Sequence, residues 1–118
     1  MIKLYIDGGT RHNNICLVDR SKIIVKIRNG INGNPTNNEL EYLALLYALR
    51  YIQNNYKLRT ITIYSDSMLV VNQINGKWRV TTATLYPLWE KCIKLMTDRI
   101  KIKWISRDFN LAGHVLEK

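Results

Sequence analysis

The chain has 118 residues, 47% of them hydrophobic, which is enough for one hydrophobic core but too few for two ordinary domains. Eighteen Lys and Arg against nine Asp and Glu give a net charge of +9, which favours polyanionic partners such as nucleic acid, although a basic solvated surface would give the same balance. Neither a secretion signal, a membrane span nor a paired-cysteine motif is present, which predicts a cytoplasmic protein with Cys16 and Cys92 in its core.

The first part of the chain predicts a strand followed by a hairpin. Apolar and polar residues alternate over residues 2–6, and Asp7 with Gly8-Gly9 then breaks the run, which is typical of a strand that ends in a tight turn. Two short apolar runs, residues 15–18 and 23–27, flank a polar turn. The economical interpretation is a hairpin that extends the first strand.

The clearest predicted helix covers residues 36–55. Thr36 and Glu39 have the spacing of a capping box, and apolar residues then recur at helical intervals. The capping box explains Glu39, but Glu41 has no such structural role. Burying an unpaired carboxylate costs several kcal/mol. Glu41 nevertheless falls on the helix face that carries the apolar residues Ala44, Leu45, Ala48 and Ile52.

The second half of the chain continues the alternation of strands and helices. Residues 60–64 predict a β-branched strand, and Asp66 beyond it is placed to cap a helix over residues 68–74 that Gly76 closes. A longer helix over 83–97, a strand over 100–105 and a terminal helix from about Asn110 follow. The order βββαβααβα predicts one α/β domain over residues 1–118, with a five-stranded mixed sheet and helices on both faces.

Three carboxylates are expected to converge at one edge of this sheet. Asp7 and Asp66 follow strands that a helical crossover would make parallel neighbours, and Glu41 opens the intervening helix. Like charges so close need a cation between them, and oxygen ligands select Mg²⁺ or Mn²⁺. Two such ions would support in-line hydrolysis of a phosphodiester. Taken alone, Asp7 fits a simple turn residue and Asp66 a simple helix cap.

The sequence resembles type 1 ribonuclease H along nearly its whole length. The resemblance rests on IDGG after the first residues, TNNELEYLALLYAL, IYSDSMLVVNQINGKW and the terminal WISRDFNLAGHVL. No basic protrusion follows Gly76, as in the compact, archaeal-like subgroup. The resemblance implies a ribonuclease H-like fold, a monomer, and cleavage of the RNA strand of RNA–DNA hybrids to 5′-phosphate and 3′-hydroxyl products. It also implies that Asp7, Glu41 and Asp66 are catalytic metal ligands.

The fourth carboxylate of the family is missing. Its motif in the last helix is Asn-x-x-Ala-Asp-x-Leu, and His114 stands where the aspartate belongs. A neutral imidazole at this catalytic position would bind the second ion more weakly and prefer Mn²⁺ over Mg²⁺. Asn110 is the competing metal ligand, through a neutral oxygen. Alternatively, Asn110 only caps the helix, His114 is a solvated terminal residue, and activity is low.

Polar and basic residues around the carboxylates are candidates for binding the hybrid, whose minor groove displays 2′-hydroxyls. Asn37 and Asn38 match the family's paired asparagines, although they also fit the capping turn at Thr36. Met68 departs from the family's usual glutamine, and Trp78 fits the core better than a stacking surface. The remaining candidates for substrate contacts are Gly8, Arg11, Asn13, Ser67, Lys77, Arg79 and Arg107.

Three other functions compete with this interpretation. Another nuclease on a similar fold is one, although the asparagine pair argues against it. A weakly active or inactive module that binds hybrids or double-stranded RNA is the second. The third is a ribonuclease domain of a retroelement polyprotein, whereas Met1 directly before the first strand favours a free-standing protein.

Overall fold

The computed structural model describes residues 2–8, 12–19, 22–30, 33 and 35–115, and for residues 12–19, 22–30, 114 and 115 it describes the backbone alone. The elements follow the predicted order, with a short 3-10 helix added before the last α-helix. They are β1 (Ile2–Gly8), β2 (His12–Asp19), β3 (Lys22–Gly30), α1 (Asn37–Asn55), β4 (Ile61–Ser65), α2 (Met68–Ile74), α3 (Tyr86–Leu95), β5 (Ile100–Trp104), the 3-10 helix (Arg107–Phe109) and α4 (Leu111–Val115).

The sheet brings the ends of β1 and β4 together. The strands lie in the order β3-β2-β1-β4-β5; β1, β4 and β5 are parallel, β2 is antiparallel to β1, and β3 is antiparallel to β2. Tyr5 of β1 is in register with Tyr64 of β4. Asp7 and Asp66 each lie two residues further along, so both reach the same edge of the sheet at the same level.

Both faces of the sheet are covered by helices. Ile2, Leu4 and Ile6 of β1 are fully buried in the main core, which also contains the apolar side of α1. Tyr5 points to the opposite face, where it stacks on Tyr64 with a centroid distance of 5.2 Å and packs against Ala112 of α4. Successive side chains of a strand alternate between faces, so α1 and α4 lie on opposite sides of β1.

Several element boundaries differ from the sequence prediction. The hairpin strands extend well beyond the apolar runs at 15–18 and 23–27, because backbone pairing continues through their polar ends. Helix α3 is shorter than the predicted 83–97. It begins at Tyr86 with Pro87 in its first turn, where a missing N–H costs no hydrogen bond. Met96 beyond it is extended.

The burial of individual side chains agrees with the prediction at Cys92 and differs from it at Trp78. Cys92 is fully buried, as predicted, whereas the side chain of Cys16 lies outside the described residues. The prediction that Trp78 belongs to the core is wrong, because 47% of its surface is exposed. Within the described part of the chain, no helix combines the length and apolarity needed to cross a membrane.

Candidate active site

Three carboxylates meet at the edge where β1 and β4 end. Asp7, Glu41 and Asp66 each offer an oxygen, and these oxygens all lie within 4.8 Å of one another. Asp7 is the last but one residue of β1, Asp66 follows β4 directly, and Glu41 comes from the second turn of α1. The geometry therefore brings together the three residues that the sequence singled out, from three separate elements.

Gly8 holds β1 and α1 in close contact. A Cβ atom at this position would overlap the backbone carbonyl of Leu40, so only glycine fits. Because β1 and α1 lie so close at this point, the Gly8 N–H donates a hydrogen bond to Oε1 of Glu41 at 3.1 Å. Gly8 therefore orients Glu41 toward Asp7, and this backbone contact accounts for its place in the site.

Glu41 carries the clearest electrostatic signature of the cluster. Burial, together with the negative charges of Asp66 and Asp7, raises its pKa from 4.5 to about 8, against the opposing effects of the Gly8 N–H and Arg107. Its second oxygen, Oε2, is buried and accepts no hydrogen bond from the residues that the structure describes. A buried carboxylate oxygen without a partner is costly, so this atom is placed for a ligand of positive charge.

Asp66 is held by two groups that follow β5. Its Oδ2 accepts a hydrogen bond from Asn110 Nδ2 at 3.2 Å and lies 3.8 Å from the Nε atom of Arg107. The predicted role of Asp66 as a helix cap is wrong. Ser67 caps α2 instead, because its hydroxyl oxygen accepts from the N–H of Val70 at 3.2 Å. The Asp66 carboxylate is therefore not used to cap α2 and belongs to the carboxylate cluster.

Asn110 is fully buried and connects three parts of the molecule. Its Nδ2 donates to the carbonyl of Ile6 at 2.9 Å as well as to Asp66, and its Oδ1 accepts from the N–H of Ala112 at 3.2 Å. A backbone carbonyl requires a donor and a backbone N–H an acceptor, so these contacts fix the orientation of the amide. The predicted metal ligation by the Asn110 oxygen does not fit this geometry. Asn110 caps α4 and positions Asp66.

A cleft of about 520 Å³ surrounds the carboxylates. Asn37 and Asn38 lie in the first turn of α1, are exposed and line this cleft. Thr36 caps the helix through the predicted capping box with Glu39, so neither asparagine is needed as the cap. The other lining residues are Asp7, Gly8, Glu41, Asp66, Ser67, Arg107 and Gly113.

The other predicted site residues lie away from the cleft or outside the description. Lys77 and Arg79 are exposed beyond the end of α2 and do not line the cleft. Arg11 lies outside the described residues, and for Asn13 and His114 only the backbone is described. Asn13 pairs with Gly8 across the β1–β2 ladder. The neighbour of His114, Gly113, lies beside the Asp7 carboxylate, where an added Cβ would be 3.7 Å from Oδ2.

The donor set fits a hard divalent cation. All three clustered ligands are carboxylates, and no His or Cys in the described part of the chain joins their cluster. Crowded negative charge, a raised Glu41 pKa and a Glu41 Oε2 that bonds to no residue the structure describes are each relieved by a bound cation. Magnesium and manganese favour such oxygen ligands over the nitrogen and sulfur donors that zinc prefers.

Sequence reasoning missed two contacts to Asp66. The Trp104 indole N–H donates to the Asp66 carbonyl at 3.2 Å, although the ring is exposed. Asn110 was assigned as a ligand or cap, and its bond to Asp66 was not foreseen. No local signal reveals either contact, because the partners are 38 and 44 residues apart in the chain. Ser67 as the cap was predictable, since serine before a helix is a preferred N-cap.

Comparison with known proteins agrees with the fold. The family model described as reverse transcriptase-like matches residues 9–118. A ribonuclease H of Caldicellulosiruptor saccharolyticus is 32% identical over 81 residues, which cover 65% of this chain and 54% of that protein. The chain thus spans about half the length of this curated relative.

Solved structures resemble nearly the whole chain. Ribonuclease H1 of the halophilic archaeon Halobacterium salinarum superimposes with a TM-score of 0.84 at 26% identity, over 98% of this chain and 92% of that one. LC11 ribonuclease H1 in complex with an RNA/DNA hybrid gives a TM-score of 0.84 at 26% identity, over 98% and 93%. The fold and the site define a ribonuclease H-like protein, and the resemblance to type 1 ribonuclease H is confirmed. The chain belongs to the reverse transcriptase-like family.

Proposed function

We propose that this chain is a divalent-metal-dependent endoribonuclease that hydrolyses the RNA strand of RNA–DNA hybrids, leaving 5′-phosphate and 3′-hydroxyl ends. The observation that carries the proposal is the convergence of Asp7, Glu41 and Asp66 within 4.8 Å. The relatives named ribonuclease H, and the solved relative in complex with a hybrid, support the same activity and substrate.

The three carboxylates share one role in this proposal. Asp7, Glu41 and Asp66 hold Mg²⁺ or Mn²⁺, as two ions in the full arrangement, which would activate a water and stabilise the leaving oxygen of an in-line displacement. Gly8 and Asn110 position Glu41 and Asp66 by hydrogen bonds. Because these supports are backbone or buried, they hold the carboxylates in place before substrate binds.

The cleft also offers groups for recognising the hybrid. Asn37 and Asn38 stand exposed at its rim, where short amides suit the 2′-hydroxyls of a minor groove. Arg107 has a side chain that is 86% exposed and lies beside Asp66, within reach of a scissile phosphate. Ser67 lines the cleft while capping α2. Arg11 and Asn13 remain proposed substrate contacts on the strength of the sequence.

The lack of a carboxylate at position 114, where the family has its fourth, favours a second candidate, a weakly active or inactive hybrid-binding module. The sequence of α4 is LAGHV, with no acidic residue, and His114 takes the position of the family's aspartate. We therefore expect the protein to cleave the hybrid in Mn²⁺ and to show little cleavage in Mg²⁺. We further propose a single domain over residues 1–118, a monomer and a cytoplasmic location.

Substitution of His114 by aspartate tests the role of this position. His114→Asp is expected to raise cleavage in Mg²⁺ by roughly tenfold, because a fourth negative ligand strengthens binding of the second ion. The control is His114→Asn, which adds no charge and should leave Mg²⁺-dependent cleavage near the wild-type rate. An equal rate for wild type and His114→Asp across a Mg²⁺ titration would remove His114 from the metal site.

Substrate selectivity tests the proposed activity. RNA–DNA, RNA–RNA and DNA–DNA duplexes of one sequence, each labelled on one strand, are incubated with the protein and either ion. We expect cuts only in the RNA strand of the hybrid, with 5′-phosphate ends. Cleavage of all three duplexes would instead indicate a different nuclease. Tight retention of the hybrid without cleavage in either ion would favour the binding module.

A further inference from the structure

The segment Lys77–Arg79, called the basic loop below, is fixed onto the end of α2. The N–H groups of Lys77 and Trp78 both donate to the carbonyl of Asn72, at 2.8 and 3.1 Å. The side chain of Gln73 donates from Nε2 to the carbonyl of Arg79 at 3.2 Å. All three residues of the loop are exposed. The backbone is thus held from both ends while the side chains face solvent.

Gln73 is a buried polar residue in an otherwise apolar setting. It is 5% exposed, and its Oε1 accepts from the hydroxyl of Tyr42 at 2.6 Å, a side chain that is fully buried. The Arg79 carbonyl can only accept, so the atom facing it is nitrogen and the amide orientation is fixed. Tyr42 directly follows Glu41. A buried hydrogen-bonded link therefore runs from the helix of the active site to the basic loop.

Burying an amide costs free energy that an apolar side chain at the same position would avoid. Two hydrogen bonds offset that cost, one from the Tyr42 hydroxyl and one to the Arg79 carbonyl, so glutamine at this position joins α1 to the basic loop. Helix α2 has seven residues and is about 10 Å long, with Ser67 at the cleft and the basic loop at the other end. A duplex placed over the carboxylates extends at least this far, and Lys77 and Arg79 would meet its phosphates.

We propose that Gln73 is a positioning residue that holds the basic loop ready for the phosphate backbone of the bound duplex. The proposal rests on the proposed function, and it assigns the loop a contact beyond the cleavage site. An ordered loop loses little conformational entropy on binding, so its two cations contribute more to affinity than the same residues on a mobile segment. Gln73 itself touches neither the substrate nor the reacting atoms.

The test compares Gln73→Met with Ile52→Val. Gln73→Met removes the bonds to both Arg79 and Tyr42 and keeps the volume, and is expected to raise KM for the hybrid about tenfold with kcat within about twofold. Ile52→Val destabilises the same core, because Ile52 is 2% exposed, but has no bond to the loop. Its KM should match wild type. Thermal unfolding checks that both variants are folded.

A double-mutant background separates positioning from a general structural effect. In Lys77→Ala/Arg79→Ala, Gln73→Met should change KM by less than about twofold, since the cations that it positions are gone. An unchanged KM for Gln73→Met, or an equal rise in both backgrounds, would overturn the proposal. If Gln73→Met does not fold, Gln73→Leu replaces it: leucine cannot donate to the Arg79 carbonyl and places no charge in the core, and the same rise is expected.

Failure of this inference can be distinguished from failure of the proposed function. If the wild type does not cleave the hybrid, the same variants are compared by fluorescence anisotropy of a labelled hybrid in EDTA. The expected result is the same roughly tenfold weakening for Gln73→Met, confined to the background that retains Lys77 and Arg79. Equal affinities in this assay would overturn the role of Gln73, whether or not the protein is an enzyme.

Discussion

Replacing Glu41 with glutamine is expected to abolish hybrid cleavage and at the same time to stabilise the metal-free protein. Activity should fall by roughly a thousandfold or more, because one of three anionic ligands becomes neutral. Glutamine keeps an oxygen that can accept from the Gly8 N–H, and its amide nitrogen can donate to a neighbouring carboxylate. The free energy of unfolding in EDTA should rise by on the order of 1–3 kcal/mol at pH 8.

The pH dependence gives this prediction a second readout. The Glu41 pKa is about 8 in the folded protein against an ordinary value of 4.5, so between these pH values the folded state binds a proton that the unfolded state has lost. Stability then decreases with rising pH, and the contribution present below pH 4.5 is lost as pH rises through about 8. The stability of Glu41→Gln should not decrease in this way, because glutamine does not titrate.

Urea unfolding of both proteins in EDTA, at intervals between pH 5 and pH 9, measures the effect. The difference in stability should widen toward high pH. Adding Mn²⁺ should stabilise the wild type more than the variant, because the ion binds the folded state of the wild type more tightly. Parallel stability curves over the whole pH range would contradict the account of Glu41.

Substitutions of Asn110 are expected to be the most destabilising at the site. Asn110→Ala removes the partners of the Ile6 carbonyl and the Ala112 N–H, both of which stay buried, and should cost about 2–4 kcal/mol of unfolding free energy. Cleavage should also fall, because Asp66 loses a donor that orients it. Urea unfolding and cleavage rates at matched metal concentration measure the two effects.

Asn110→Asp distinguishes a positioning residue from a metal ligand. If the Asn110 oxygen bound the ion, an added charge would strengthen binding. In the observed geometry the new carboxylate would face Asp66 and the Ile6 carbonyl, both acceptors, so stability and cleavage should both fall. Urea unfolding in EDTA and cleavage rates at saturating Mn²⁺ measure the two effects, and cleavage by Asn110→Asp at or above the wild-type rate would return Asn110 to the ligand set.

The convergence of the carboxylates was predictable because each one has a local signal. Asp7 and Asp66 follow β-branched or alternating runs, and Glu41 interrupts an apolar helix face where a charge is costly. Parallel strands joined by a helix then bring the strand ends to one edge. Glu39 was separable from Glu41 because the capping box with Thr36 explains it, and the structure contains that capping box.

The supports of the site were not predictable, since they depend on tertiary contacts. Asn110 bonds to Ile6 across 104 residues, and no local pattern reveals that pairing. Asp66 and Ser67 are both residue types that favour the N-cap of a helix. Only the tertiary structure shows that Ser67 is the cap, because Asp66 lies at the sheet edge beside Asp7 and Glu41. Trp78 is apolar by type, but the hydrogen bonds that hold the basic loop at the surface leave it exposed.

We propose that the three carboxylates act together through a divalent cation on an RNA–DNA hybrid. Single-turnover cleavage of a labelled hybrid, titrated with Mg²⁺ and with Mn²⁺ for wild type and Asp7→Asn, tests it most directly. We expect no cleavage in EDTA, cleavage by the wild type that is faster in Mn²⁺ than in Mg²⁺, and a loss of roughly a thousandfold or more in Asp7→Asn. Metal-independent cleavage, or equal rates for the two proteins, would contradict it.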